Sequence, residues 1–255
     1  GVWKEGQFVS AADPKSEPPS YDDNELYGFS SGTGFAVTYS GHIVTNFHVI
    51  KNCNEVDAFH QRELISLATV FYDEKNDLAL LKGNFKPKNI FKFSRRDSRL
   101  MDEVYVAGYP FGFKRSTTVK VTKGVISSLS GFGNDLSRFQ LDAAVNRGNS
   151  GGPIFNDSGN VVGVVVSKTM LNLTTTDLIK LAKGESVSFD TPQNESYGIR
   201  STVALRLLES NGISLAQPNK GTISKDSLRK VINGASYYLK CWVTGKRLKK
   251  LINKN

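Results

Sequence analysis

Three side chains in this sequence, a serine, a histidine and an aspartate, are of the types that together carry out acyl transfer. Ser150 lies in the string Gly148-Asn149-Ser150-Gly151-Gly152-Pro153. A serine hydroxyl is a poor nucleophile at neutral pH unless a base takes its proton. The reaction also needs N–H donors aimed at the oxygen that becomes negative. Glycines around the serine permit the tight turn and close backbone approach that both demands impose. The expected oxyanion loop is Gly148, Asn149 and Ser150, with the N–H groups of Ser150 and Gly148 as donors. Taken alone, the string also fits a plain loop turn.

His48 follows the run His42-Ile43-Val44-Thr45, so a strand would deliver an imidazole at its end, a suitable station for a general base. The other two histidines read as structural or solvent-facing: His42 lies inside that run and His60 in a polar loop. Asp77 opens the apolar run Leu78-Ala79-Leu80-Leu81. It is either an ordinary turn residue or the acceptor of the histidine Nδ1–H, which would fix the tautomer and stabilise the imidazolium formed during attack.

The elements that must position these groups are short and β-rich. Gly34–Thr38, His42–Thr45, Leu64–Phe71, Leu78–Lys82, Glu103–Ala107, Thr117–Thr122 and Val161–Val166 read as strands separated by Gly, Asn and Asp. No βα alternation supports a parallel sheet. The expected class is all-β, a sandwich or barrel. The Pro- and Ser-rich residues 1–27 read as an N-terminal arm and 28–212 as the main domain. Its two halves are expected to meet near residues 110–116. Residues 201–211 read as a helix with Ser201 or Thr202 as cap, Val203, Leu207 and Leu208 on one face, and Gly212 as terminator. Residues 213–255 read as a C-terminal extension with a second short helix over Ser224–Gly234, a strand over Tyr237–Val243 and a basic end, Lys246-Arg247-Leu248-Lys249-Lys250.

Composition narrows the function classes. The chain has 255 residues, 39% hydrophobic and 22% charged, with net charge +9. It contains no apolar run long enough for a membrane helix. The excess charge is spread out, so solvated surface is favoured over nucleic-acid binding, and the basic tail is the one candidate for contact with an anionic surface. Cys53 and Cys241 do not make a disulfide scaffold; they form either one long-range bridge or two buried thiols. Neither sits in a CxxC pair, and no phosphate-cradling motif or metal-ligand cluster occurs, so no metal or cofactor is expected.

Together these motifs resemble the trypsin-like peptidases of the HtrA/DegP type. The stretches that carry the resemblance are Ser31–Phe35, Gly41–Val49, Asn76–Lys82, Ala107–Pro110, Val121–Ser127 and, above all, Gln140–Pro153, with Tyr197–Ser201 similar to a diverged form of the family's Phe-Ala-Ile-Pro-Ser segment. They run in the family's order over about residues 28 to 212. The resemblance implies a double β-barrel and a serine endopeptidase acting on unfolded or flexible polypeptides through an acyl-enzyme. His48 would be the base, Asp77 its orienter and Ser150 the nucleophile. It also implies an exported location, periplasmic or secreted, where a Cys53–Cys241 bridge would persist. Only about 40 residues follow Gly212, fewer than a typical domain needs, so a member without a PDZ domain is expected. The alternative function is a catalytically silent binding or chaperone protein on the same fold.

Two departures from digestive relatives bear on mechanism. Asn149 stands where those enzymes carry an aspartate that captures a new N-terminal amine, so loops are expected to set the active conformation here. Ala144 stands six residues before the nucleophile, where they carry an acidic residue, so cleavage after Lys or Arg is not expected. Ala144, Val166, Ser167 and Tyr197 are the expected walls of a pocket for small or medium apolar side chains.

Overall fold

The computed structural model describes residues 2–4, 7–10, 21–61, 63–110, 118–166 and 196–252. Strands dominate. Besides β1 (Val2–Lys4) and β2 (Gln7–Ser10), which pair with each other, they are β3 (Leu26–Ala36), β4 (His42–Thr45), β5 (Glu55–His60), β6 (Glu63–Asp73), β7 (Leu78–Gly83), β8 (Lys92–Phe93), β9 (Glu103–Gly108), β10 (Lys120–Ser128), β11 (Arg138–Leu141), β12 (Pro153–Phe155), β13 (Asn160–Val166), β14 (Ser196–Arg200) and β15 (Ser236–Thr244). The helices are α1 (Phe47–Ile50), α2 (Ser201–Ser210), α3 (Lys225–Ala235) and α4 (Gly245–Ile252).

Two barrels account for all but the first two strands. The first closes in the order β15-β3-β4-β7-β6-β5. The second runs β12-β9-β10-β11-β14-β13 and closes through β12–β13 pairing, with β8 added in parallel beside β13. This is the double barrel expected from the sequence. The interior of the first barrel is built on Phe35, Ile43, Leu80 and Leu81, joined by Phe91 and Phe93 from the following segment. Burying each such side chain is worth about 1.5–3 kcal/mol. The second barrel encloses Val104, Val106, Ile126, Phe139, Leu141 and Ile154. β13 is buried at every position because it separates two apolar clusters: Val165 belongs to one, and Val161, Val164 and Val166 to the other.

Several local expectations are refined. The stave expected at Thr117–Thr122 lies further on, at Lys120–Ser128, and residues 111–117, where the seam was expected, lie outside the described residues. His60 ends a strand instead of sitting in a polar loop; its Nδ1 lies 3.1 Å from the Ser236 carbonyl oxygen. α2 has no side-chain cap, since Thr202 hydrogen-bonds Asp97 instead, but it ends as expected at Gly212, whose φ is +76°. Its buried face is Ala204, Leu205 and Leu208; Val203 and Leu207 are only partly covered. Ser224 caps α3 by accepting from the Ser227 N–H.

The largest correction concerns the segment read as an extension. β15 is the sixth stave of the first barrel, pairing antiparallel with β5 from Tyr238↔Phe59 to Trp242↔Glu55. Tyr237, Leu239 and Cys241 alternate along it and are all buried, and the strand closes the edges that β3 and β5 would otherwise leave open. Cys241 forms a disulfide with Cys53 across 188 residues of sequence. The terminal residues 1–27 and 243–255 form a compact unit of their own. There, Gly245 donates to the Glu25 carbonyl and Lys249 pairs with Asp23 at 2.9 Å, holding the Asp23 carboxyl below its ordinary range.

Candidate active site

Strand register brings His48 and Asp77 together. β4 pairs antiparallel with β7, Val44 opposite Leu80 and Thr45 opposite Ala79. The C-terminal end of β4 and the N-terminal end of β7 therefore lie at the same end of the barrel. His48 sits in the short helix just after β4, and Asp77 just before β7. The His48 Nδ1 is 2.7 Å from Asp77 Oδ2, and the His48 backbone N–H donates to Asp77 Oδ1 at 2.9 Å. Both carboxylate oxygens are thus engaged by one residue. The ring nitrogen left to face away from the carboxylate is Nε2.

Asp77 is held from its backbone as well. Its φ is +56°, a left-handed conformation that a non-glycine residue adopts at some cost. Asn46, fully buried just before α1, donates its Nδ2–H to the Asp77 carbonyl at 3.0 Å. Sequence reasoning gave Asn46 no role, although it adjoins the histidine motif; only the register of β4 on β7 places it over the aspartate.

Ser150 lies in the loop between β11 and β12 and is buried, with 4% of its surface exposed. Gly148 and Gly151 have φ of +97° and +82°, the left-handed region in which glycine is at ease. Approach to the first barrel is close: a Cβ on Gly151 would stand 2.2 Å from Thr45 Oγ1 and 2.9 Å from the Asn46 nitrogen. The serine loop thus abuts the end of the strand that leads to His48. Between the Ser150 hydroxyl and the His48 imidazole there is no hydrogen bond in this structure.

Most of the loop's backbone groups are engaged. The Asn149 N–H donates to Asn146 O at 3.0 Å, Gly151 N–H to Val165 O at 2.9 Å and Gly152 N–H to Asn149 O at 2.9 Å. Gly148 O accepts from the Thr33 hydroxyl at 2.6 Å, and Ser150 O from the Thr33 N–H at 2.8 Å. The N–H groups of Gly148 and Ser150 donate to no acceptor among the described residues. Buried N–H groups without a partner are rare in folded proteins. Asn149, expected within the oxyanion loop, offers no donor from its backbone, because Asn146 takes it. Its side chain is buried too, and its Oδ1 has no partner among the described residues.

Of the expected pocket walls, Val166 and Tyr197 are buried neighbours in register on β13 and β14. Ala144 is exposed, with its carbonyl accepting from the Thr122 hydroxyl at 2.9 Å. Ser167 lies outside the described residues. A cavity of about 550 Å³ lined by Arg96, Asp97, Arg99, Asp102 and Asp157 holds none of these residues, and its open walls of mixed charge present no arranged chemistry. Among the described residues there is no cluster of His, Cys, Asp and Glu able to hold a metal ion.

Known proteins resemble this chain in sequence and fold. The model of the trypsin-like peptidase domain matches residues 32–164. Uncharacterized protein y4bJ of Sinorhizobium fredii is 35% identical over 206 residues, 80% of this chain and 31% of that protein. A probable periplasmic serine endoprotease DegP-like of Pseudomonas putida is 34% identical over 163 residues, 62% of this chain and 33% of its own length. The corresponding protein of Rickettsia conorii is 39% identical over 145 residues, 52% of this chain and 27% of its own. The chain thus spans about a third of the length of the curated relatives it matches. Among solved structures, the HtrA-type protease AlgW with decapeptide superposes with a TM-score of 0.55 at 26% identity, covering 71% of this chain and 51% of that one.

Proposed function

Since the chain belongs to the trypsin-like peptidase family, we propose that it is a serine endopeptidase using His48, Asp77 and Ser150. The observation that carries this reading is the two-point clamp of Asp77 on His48. It directs Nε2 outward as the free base. In the reaction, Ser150 Oγ attacks the substrate carbonyl carbon while Nε2 takes its proton. Asp77 stabilises the imidazolium, and the carbonyl oxygen becomes an oxyanion. The N–H groups of Gly148 and Ser150, which have no acceptor among the described residues, are suited to receive it. The imidazolium then protonates the leaving amine, an acyl-enzyme remains, and water attacks it by the same steps in reverse roles.

The substrates proposed are unfolded or flexible polypeptides, cut after small or medium apolar side chains at a pocket that includes Val166 and Tyr197. Two observations favour an exported location: the DegP-like relatives are named periplasmic, and the Cys53–Cys241 bridge belongs in an oxidising compartment. No helix among the described residues is long and apolar enough to cross a membrane.

One observation favours a second reading, a silent binding protein on the same fold: the hydroxyl of Ser150 is not hydrogen-bonded to His48. Catalytic hydrogen bonds are often long before substrate binds, so the enzyme reading stands first. Mass-spectrometric mapping of the cuts made in an unfolded protein separates the two. Cuts after apolar residues that disappear in Ser150→Ala, with turnover lower by about 10⁶-fold, support the enzyme; dominant cuts after Lys or Arg contradict the pocket. Digestion equal in the variant and the original chain contradicts the triad.

A further inference from the structure

Resting on the serine peptidase reading, we infer that Thr33 is a positioning residue for the nucleophile loop, acting through its hydroxyl. Thr33 is fully buried in β3, on the first barrel, and none of its atoms is among the reacting groups. Yet three of its groups, in four hydrogen bonds, reach three separate segments. Its Oγ1–H donates to Gly148 O at 2.6 Å, and Oγ1 accepts from the Tyr109 N–H at 3.0 Å. Its N–H donates to Ser150 O at 2.8 Å, and its carbonyl accepts from Thr45 Oγ1 at 2.8 Å.

The consequence follows from which groups are tied and which are left. Thr33 holds the carbonyls of Gly148 and Ser150, the residues whose N–H groups have no partner among the described residues. Fixing each carbonyl holds the peptide plane that follows the residue, so that the plane before it, which carries its own N–H, can turn only through that residue's φ and ψ. Glycine at φ +97° has few steric limits of its own, so the restraint at Gly148 must come from outside. The hydroxyl supplies it from the barrel that carries His48 and Asp77. Through Thr45, three residues before His48, the same residue ties the nucleophile loop to the base. The surroundings leave no slack: a Cβ at Gly108 would stand 2.9 Å from Thr33 Oγ1, and one at Gly152 3.2 Å from Thr33 Cγ2.

The test is steady-state kinetics on a peptide cut by the original chain, comparing Thr33→Val and Thr33→Ser. Valine keeps the shape and removes the hydroxyl; serine keeps the hydroxyl and removes the methyl. Thr33→Val is expected to lower kcat by about 10- to 100-fold, the effect of a small misplacement of reacting groups, with KM changed less than threefold (about 0.6 kcal/mol at RT ln 3). Thr33→Ser is expected to recover most of the lost rate. Both are measured well below their melting temperatures, with near-UV circular dichroism matching the original chain. If Thr33→Val does not fold, Thr33→Ala, which leaves room for water, carries the same expectation. A folded Thr33→Val with unchanged kcat, or a loss that Thr33→Ser does not restore, overturns the assignment. So does failure of both Val and Ala variants to fold, which would make Thr33 a folding residue. If the original chain cuts no peptide at all, the peptidase reading itself fails, and with it this role.

Discussion

His48 and Asp77 meet through two hydrogen bonds, and the second is the more informative. A single contact between imidazole and carboxylate is common on protein surfaces, whereas here the backbone N–H of His48 also binds the carboxylate. That fixes the carboxylate before the ring is considered. Asp77→Asn therefore keeps the size and one acceptor oxygen but can present an N–H to the ring, favouring the tautomer with its proton on Nε2. Such a proton on the wrong nitrogen removes the base. We expect kcat to fall about 10⁴-fold with the fold intact, read by peptide cleavage beside a melting curve. A loss below tenfold would mean that Asp77 is a turn residue only. The triad types, their order and the glycine loop were legible in the sequence because acyl transfer restricts them so strongly. Asn46 and Thr33 were not, since their bonds to Asp77 and Gly148 depend on strand register and on contact between barrels 115 residues apart in sequence.

At the level of elements, the strand preceding the histidine was read with its true bounds, His42–Thr45, because a turn glycine and an asparagine bracket it. The short staves β11, β12 and β14 were not read as strands. With three to five residues each, they offer no full period to detect. β15 was read as a strand but not as part of the first barrel, because nothing local in residues 236–244 names a partner near residue 57. The cysteines carried that information in coded form: Cys241 sits opposite Val56 in register and is bonded to Cys53, five residues after His48. Closing so long a loop restricts the unfolded chain, and removing such a bridge costs about 2–5 kcal/mol. The double variant Cys53→Ser/Cys241→Ser should lower the melting temperature, and reductant should lower that of the original chain but not of the variant. Equal melting temperatures with and without reductant would contradict the bridge's role.

On the scale of the whole molecule, the two barrels are joined by polar contacts as well as by apolar ones. Tyr109, at the end of β9 in the second barrel, donates its hydroxyl to Ser236 O at the start of β15 in the first, at 3.0 Å. Burial pushes its phenol up to about 12 from the ordinary 10, and burial is also the main cause of the upward shift at Tyr237, with Tyr109 and Glu63 adding to it. The folded state thus holds these protons more tightly than the unfolded chain. Below pH 10 both states are protonated and the contribution is complete. As pH rises from 10 toward 12 the unfolded chain releases protons that the folded one keeps, so stability falls. Denaturant unfolding across that range should show the decline, and Tyr109→Phe should make it shallower. A slope unchanged by that variant would contradict the assignment to Tyr109.

The same closure of both barrels sets His48 in a short helix and Asp77 and Ser150 in two loops, and under the proposed reading only the assembled whole makes the serine reactive. Covalent labelling tests this most directly. The folded chain is treated with a fluorophosphonate, digested and mapped by mass spectrometry. One adduct on Ser150, lost in His48→Ala and on unfolding, is the expected result. Adducts scattered over several hydroxyls at equal rates, or none under any condition, would contradict the account.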